Sequence, residues 1–297
     1  MGFAGKIAVG FLLLALPSLA SAAEIDWQKV DAALGKAGSA QPGGVHKYGL
    51  PRSDLHVTLD GVDIKPALAL GGWLAFAPMG DKAMVMGDLV LTADEVNPVL
   101  SKLEAGGISV TAIHNHLLRA SPMTFYMHVG GEGDPEKLAA ALREALSASK
   151  TPFAPPGSPA PAAAQPIDLN TATLDRILGA KGRPNSGVYQ FSIPRADTIK
   201  EGGMTVPPAM GTAIGINFQP TGEGKAAITG DFVLVAAEVN PVMRALRSNG
   251  IEVTAVHNHM LDDQPRLFFL HFWANDDAGK LAKGLKAALD KVNVAKS

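Results

Sequence analysis

The 297-residue chain contains no cysteine. This absence excludes disulfide bonds, thiolate metal ligands and a lipid-attachment cysteine, so any metal site must use nitrogen and oxygen donors. The formal net charge is only −2, which gives no basic surface for nucleic acid or anionic lipid. One long apolar run occurs, at residues 7–16, and it is shorter than the roughly 20 residues that a membrane helix needs. We therefore expect no nucleic-acid partner and no stable membrane insertion of the mature chain.

The N-terminus has the organisation of a secretory signal peptide. Lys6 precedes the apolar run, and the small residues Ala20, Ser21 and Ala22 follow it, as at a signal-peptidase cleavage site. We predict a signal peptide over residues 1–22, cleaved after Ala22, and an exported protein that is periplasmic or secreted.

The rest of the chain is a tandem duplication. Residues 45–142 align without gaps with residues 188–285 at an offset of 143, and both copies contain the segment Glu-Val-Asn-Pro-Val. The stretch between the copies is rich in proline and alanine, a composition that cannot bury a core. We predict a first repeat domain over residues 24–148, a linker over residues 149–166 and a second repeat domain over residues 167–297.

The residue pattern within each copy predicts strands, a helix, two more strands and a second helix. In the first copy residues 83–91 alternate like a strand. Thr92 and Glu95 then form a capping box for a helix that ends at Gly106. This order favours an α+β fold in which two homologous domains each have a mainly antiparallel sheet with helices packed on one face. A ferredoxin-like split arrangement is the topology that we expect for the core.

Six of the eight histidines form two sets with identical spacing, each a His-Asn-His followed by a third histidine. The remaining two, His46 and His56, have no histidine counterpart in the second copy, and we interpret them as non-functional. The two sets are His114, His116 and His128 in the first copy, and His257, His259 and His271 in the second.

A β-hairpin would gather each set on one face of a sheet. Histidines two residues apart on a strand leave the same face. A hairpin centred on Ser121 would place His128 opposite His114, and one centred on Gln264 would place His271 opposite His257. Three imidazoles would then converge in each copy.

Converging neutral imidazoles predict a metal site. They suit divalent transition metals, of which we expect Zn²⁺ or Cu²⁺, and three of them leave a coordination position open. We therefore predict a three-histidine site in one or both repeats. If one site is degenerate, we expect it to be the first, because Asp262 and Asp263 follow the second set where the first copy has Arg119 and Ala120. Hydrogen-bonded sheet histidines without metal remain the alternative.

Two other functions stay open. The first is a metal-dependent hydrolase or lyase, with Asp263 or Glu238 as the candidate catalytic base. No spacing fixes an acid or base beside the histidines, so the sequence leaves open whether the protein is an enzyme. The second is a metal-free module that binds a small molecule or a partner between the two domains.

Other charged residues recur at equivalent positions. Asp88 and Asp231 follow a glycine in a predicted strand, and we interpret them either as inward partners of an imidazole N–H or as turn residues. Arg52 and Arg195 each follow a proline and could bind an anion near the site, but the interpretation that we favour is a surface salt bridge.

The segment from Val256 to Trp273, together with the upstream Gly-Asp and Glu-Val-Asn-Pro-Val motifs, resembles the LppY/LpqO family of exported bacterial proteins. The similarity extends over both copies. The resemblance implies an exported protein whose domain has no assigned function, and it names no activity. The chain departs from the lipoprotein members of that family because it lacks the cysteine to which lipid is attached.

Overall fold

The computed structural model describes Met1, residues 25–153 and residues 166–296. Apart from Met1, the predicted signal peptide lies outside the described residues, as does most of the predicted linker. Every helix in the described parts of the chain is too short or too polar to span a bilayer.

The first half forms a six-stranded antiparallel sheet with the strand order β1-β2-β5-β6-β8-β7, and a separate hairpin of β3 and β4. Its elements are α1 (Trp27–Leu34), β1 (Ser39–Gln41), β2 (Val45–Pro51), β3 (Val57–Leu59), β4 (Val62–Ile64), α2 (Pro66–Ala69), β5 (Gly71–Met79), β6 (Lys82–Thr92), α3 (Ala93–Ala105), β7 (Ser109–His114), β8 (Thr124–Gly133) and α4 (Pro135–Leu146).

The second half repeats this arrangement with the strand order β9-β10-β13-β14-β16-β15 and a small hairpin of β11 and β12. The α+β prediction of two similar halves is therefore confirmed. The elements of the second half are α5 (Thr171–Leu178), β9 (Arg183–Asn185), β10 (Val188–Pro194), β11 (Lys200–Glu201), β12 (Met204–Thr205), β13 (Ala213–Gly222), β14 (Lys225–Val235), α6 (Ala236–Ser248), β15 (Glu252–His257), β16 (Leu267–Asp277) and α7 (Ala278–Leu289).

Each half contains the split crossover of a ferredoxin-like core. Strands β6 and β7 are both antiparallel to β8, which lies between them, so they run parallel to each other and α3 connects them. Strand β5 lies on the other side of β6 and comes before it in the chain. This order differs from a simple β-α-β-β-α-β unit, in which the flanking strand follows the second helix.

The two sheets face each other, and the helices lie on the outside. Side chains alternate along β6: Val85 and Leu89 pack against the helices of their own half, whereas Met84 joins the core of the other half. Val90 likewise packs in a cluster with Trp273. The result is a helix–sheet–sheet–helix sandwich, whose central layer is built by both repeats.

Arg52 and Arg195 are buried, so the surface assignment was wrong. Arg52 is 0% exposed and donates hydrogen bonds to Asp54 at 2.9 and 2.8 Å and to Glu95 at 2.6 and 3.2 Å. Glu95 also accepts the N–H of Thr92 at 2.9 Å, as the capping box predicts. The arginine is buried because helix α3 begins directly after β6, which brings the capping carboxylate over the end of the sheet. The second copy repeats the set with Arg195, Asp197 and Glu238.

Candidate functional site

The hairpins that carry the histidines have a different register from the one that we predicted. Tyr126, not His128, lies opposite His114, and His128 lies opposite Ala112. The second copy likewise pairs Phe269 with His257. The shift is by two residues, so the third histidine stays on the face of the other two.

The difference arises in the loop that joins β7 to β8. The predicted turn residue Ser121 leaves the hairpin and pairs with Thr58 of β3, with two N–H···O bonds of 2.9 Å. In the second copy Gln264 pairs in the same way with Lys200 of β11. Each loop is therefore longer than a tight turn, and His116 and His259 follow the end of the strand.

All six histidines meet in one cluster between the two sheets. The central pair is His114 and His257, whose ring centroids are 3.5 Å apart. On each side lies a stack of three rings that draws on both repeats. One stack is Tyr126, His116 and His271, with centroid separations of 3.4 and 3.6 Å, and the other is Phe269, His259 and His128, with separations of 3.4 and 3.5 Å.

This arrangement has an approximate twofold symmetry. His116 stacks on His271, and the equivalent residues, His259 and His128, stack on each other in the same way. The separate pocket predicted for each repeat is therefore replaced by one composite cluster, which we call the histidine centre. Four groups bring three possible ligand atoms within 4.8 Å of one another, and one of them is the predicted second set. The groups are His114/His116/His257, His114/His128/His259, His257/His259/His271 and Asp88/His116/His128.

The imidazole nitrogens of the centre are buried and largely unpaired. The Nε2 atoms of all six histidines are buried without a hydrogen-bond partner among the described residues. In contrast, the Nδ1 atom of His271 lies 2.9 Å from the carbonyl oxygen of Gly230, and that of His257 lies 3.2 Å from the carbonyl of Asn258. A proton on Nδ1 that is held by a backbone carbonyl leaves the Nε2 lone pair free, which is the usual state of a metal-binding histidine.

Burial keeps these imidazoles uncharged. Desolvation, followed by repulsion from His257, lowers the pKa of His114 to about 3. Desolvation likewise lowers the pKa of His257 to about 4. The pKa values of the other four lie well below the usual value for the same two reasons, burial and neighbouring imidazoles. Neutral imidazoles are the form that coordinates metal.

Two buried aspartates lie beside the centre. Asp88 points inward, and its Oδ1 is 3.8 Å from Nε2 of His128 and has no hydrogen-bond partner among the described residues. Burial, together with repulsion from Asp231, raises its pKa well above the usual value. Burial also raises the pKa of Asp231 to about 7. Asp88 thus faces inward, but it accepts no hydrogen bond from an imidazole among the described residues; it is an additional candidate ligand.

Lys47 faces the two aspartates. Its Nζ lies 4.2 Å from the ring centroid of Trp73 and donates to the carbonyl of Ala209 at 2.8 Å. Burial lowers the pKa of Lys47 to about 8, although both carboxylates favour the charged form. Sequence reasoning missed this residue because the second copy has Gln190 at the corresponding position.

A cleft of about 740 Å³ between the repeats leads to the centre. Its inner end is lined by His128 and His259 and by both aspartates. Lys47 and Trp73 also line it, together with residues of β9, β10 and β13. The centre is therefore connected to a space of the size of a small-molecule site.

The two predicted candidate bases have other partners. Asp263 accepts hydrogen bonds from Arg266 at 2.8 Å and from the N–H of Leu267 at 2.6 Å. Glu238 pairs with Arg195 and accepts the N–H groups of Val235 and Asn293. Both carboxylates thus hold local structure, and a catalytic role for either stays a hypothesis.

Two solved structures align with most of the chain at low identity. The trimeric bacterial microcompartment shell protein PduB is 13% identical, with 86% of this chain and 89% of that chain covered and a TM-score of 0.21. EtuB from Clostridium kluyveri is 9% identical, with coverage of 85% and 88% and a TM-score of 0.21. Likeness at this level does not establish a shared fold. No curated protein matches the chain.

One protein family matches both repeats. The family described as Domain of Unknown Function (DUF1259) matches residues 28–148 and residues 172–291. The two matches cover most of the chain, and each contains one complete set of three histidines. The chain therefore belongs to the DUF1259 family and carries two copies of its domain.

Proposed function

We propose that the protein binds a divalent transition metal at a single centre between its two repeats, with ligands drawn from His114, His116, His128, His257, His259 and His271. The observation that carries the proposal is the clustering of six histidines whose Nε2 atoms are all buried without hydrogen-bond partners among the described residues. Each unpaired buried polar group costs roughly 1–3 kcal/mol. A metal ion held by one of the three-ligand groups would pair with three such atoms and offset part of this cost.

One ion per chain is favoured over two. Two unit charges 4 Å apart repel by about 4 kcal/mol at an effective dielectric constant of about 20, and two divalent ions repel four times as strongly. The ligand groups overlap, because five of the six histidines, all but His271, each belong to two of them. A second ion would therefore need a bridging anion to offset this repulsion.

The donor set favours Zn²⁺ or Cu²⁺, because neutral imidazole suits both and no sulfur donor is present. The biological role would be metal binding or handling outside the cytoplasm, since the N-terminal sequence predicts export. The kinship with LppY/LpqO proteins is part of this proposal. A metal-dependent enzyme would need a base beside the metal. The carboxylates of Asp263 and Glu238 are both engaged in hydrogen bonds. Asp88 and Asp231 lie beside the centre, so an enzyme that uses one of them is the alternative.

The test is copper binding by protein purified without a histidine tag. We expect about one Cu²⁺ per chain and a single electron paramagnetic resonance signal. The equivalent variants His116→Ala and His259→Ala, one in each repeat, should each change the whole signal and weaken copper binding by about tenfold or more. Exposed His56 provides the matched control, and His56→Ala should leave the signal unchanged.

Other outcomes would contradict the proposal. Two coppers per chain, with each variant removing one and leaving the other signal unchanged, would indicate independent sites in the two repeats. An absence of bound metal in the folded protein would indicate a metal-free module. Urea unfolding of each variant shows whether a loss of copper comes from a loss of fold.

A further inference from the structure

We infer that the cleft beside the histidine centre binds a small organic carboxylate whose charged end approaches the metal, and that Lys47 is its recognition residue. The inference rests on the proposed function, because it requires a metal at the centre. The six histidines account for a metal ion, whereas this inference names the class of organic ligand that the cleft would bind.

The position of the cleft supports this inference. It ends at His128 and His259, which belong to different repeats and lie in the same ring stack, 3.5 Å apart. A metal held there would have one side towards the cleft. At about 740 Å³ the space is within the range of small-molecule sites. A ligand in it could therefore occupy a coordination position that the imidazoles leave open.

Charge at the inner end determines which ligand fits. Lys47 lies there beside Asp88 and Asp231, whose carboxyl groups oppose an anion wherever they are ionised. A divalent ion adds two positive charges, which shifts the balance towards anion binding. Carboxylate binding should consequently depend on the metal, and by linkage the carboxylate should raise the affinity for the metal by the same factor.

Lys47 is held in place for such a role. The Trp73 ring and the carbonyl of Ala209 fix the ammonium group in the wall of the cleft. An ammonium group has three N–H donors, and a single hydrogen bond from Nζ is present among the described residues. Donors thus remain for an anion, and a charge-assisted hydrogen bond is roughly twice as strong as a neutral one.

The rest of the cleft lining fits the body of an organic ligand. Phe191 and Trp73 provide aromatic surface, and Asn217 and Gln190 provide amide groups. Arg183 lies on edge strand β9 and adds a second positive charge to the lining. An apolar body with an anionic head matches this combination better than a bare inorganic anion does.

Benzoate and its neutral isostere benzamide are the probes for a test by isothermal titration calorimetry. We expect benzoate to bind the Zn²⁺-loaded protein. Benzoate should bind the metal-free protein at least tenfold more weakly, and benzamide should bind the Zn²⁺-loaded protein at least tenfold more weakly than benzoate does. Lys47→Gln should weaken benzoate binding to the loaded protein by about tenfold or more, while the Zn²⁺ content stays at the wild-type level. Glutamine is compatible with this strand position because the second repeat has Gln190 there. Lys29→Gln, at an exposed residue of α1, is the matched control.

The outcomes separate the two proposals. If the folded protein binds neither Zn²⁺ nor Cu²⁺, the proposed function and this inference both fail; if it binds only Cu²⁺, the same titrations are made on the Cu²⁺-loaded protein. If Zn²⁺ binds but benzoate does not, or if benzoate binds equally well without Zn²⁺, only the inference is overturned. If Lys47→Gln binds benzoate with unchanged affinity, benzoate binds the metal without any contribution from Lys47. That result also overturns the inference.

Discussion

Each repeat buries two sets of polar side chains, and the two sets differ in how their hydrogen bonds are completed. The arginine set of Arg52, Asp54 and Glu95 pairs its charges within one repeat. The histidine set leaves its Nε2 atoms unpaired and completes its contacts with rings of the other repeat. Both sets are duplicated, so duplication alone does not distinguish structure from function.

The comparison shows what to look for in a repeat of unknown role. A buried polar set that satisfies itself stabilises the fold, as Arg52 does when it ties the start of α3 to the end of β2. A buried polar set that stays unsatisfied, and that meets its symmetry partner, requires a ligand to offset its cost. The following predictions separate these two interpretations by stability and by metal content.

The largest expected effect is a loss of stability of the metal-free protein in mild acid. The six histidines of the centre are neutral in the fold, and their pKa values, about 3 for His114 and about 4 for His257, lie below the ordinary value of 6.5. The unfolded chain therefore binds more protons, and stability rises with pH from about 4 to 6.5. Each proton contributes about 1.4 kcal/mol per pH unit.

The buried aspartates oppose this trend without reversing it. Asp231 has its pKa raised to about 7, and that of Asp88 is raised as well, so the fold binds more protons than the unfolded chain at these two sites. Six histidines outnumber two aspartates, and Lys47, with a pKa of about 8, contributes only above that pH. We expect a loss of the order of 5 kcal/mol between pH 7 and pH 5, measured by urea unfolding.

A double variant provides the check on this origin. His114→Leu with His257→Leu removes the central pair, and the pH dependence should become shallower by about half, because the excess of protons bound by the unfolded chain falls from about four (six imidazoles against two aspartates) to about two. Exposed His56→Ala should leave it unchanged. Asp54 of the first arginine set does not contribute in this window: hydrogen bonding to Arg52 lowers the pKa of Asp54, so that its stabilisation is lost only as the pH falls below the ordinary aspartate value. An unchanged slope in the double variant would contradict the assignment.

The second-largest expected effect is a loss of stability of the metal-free protein when Arg52 is replaced. Arg52→Met removes the cation from a buried pair and leaves Glu95 buried without its main partner, which should lower the free energy of unfolding by about 3–5 kcal/mol. Copper bound per folded chain should not change, because Arg52 lies outside every candidate ligand group. Arg176→Met, at an exposed position, is the control and should leave the midpoint of urea unfolding unchanged. A loss of copper in folded Arg52→Met would show that the two sets are not independent.

Much of this architecture follows from local patterns. Residues 83–91, Thr92 and Glu95 predict β6 and the start of α3, and the observed elements are Lys82–Thr92 and Ala93–Ala105. These features are encoded by neighbouring residues, through alternation and capping. The histidine spacing likewise predicts that three imidazoles share a face.

The contacts between repeats could not be derived in this way. Nothing in the spacing of His128 shows that it stacks on His259, because that contact depends on how two sheets pack rather than on either hairpin. The register error has a similar cause: Ser121 pairs with Thr58, which is distant in the chain. Lys47 was missed because the repeat comparison favours residues that both copies share, and the asymmetric lysine is not one of them.

The smallest expected effect comes from the ring that covers His116. Tyr126 stacks on His116 at 3.4 Å and donates its hydroxyl to the carbonyl of Ala69 at 2.6 Å, whereas the second repeat places Phe269 on His259 at the same distance. Tyr126→Phe should therefore lower the free energy of unfolding by about 1 kcal/mol, the contribution of one hydrogen bond, and keep the stack. Copper affinity should be the same, since the second repeat already uses phenylalanine for this contact. If calorimetry instead showed a several-fold change in copper affinity, the Tyr126 hydroxyl would influence the metal centre. The ring stack that contains Tyr126 and the one that contains Phe269 would then not be equivalent.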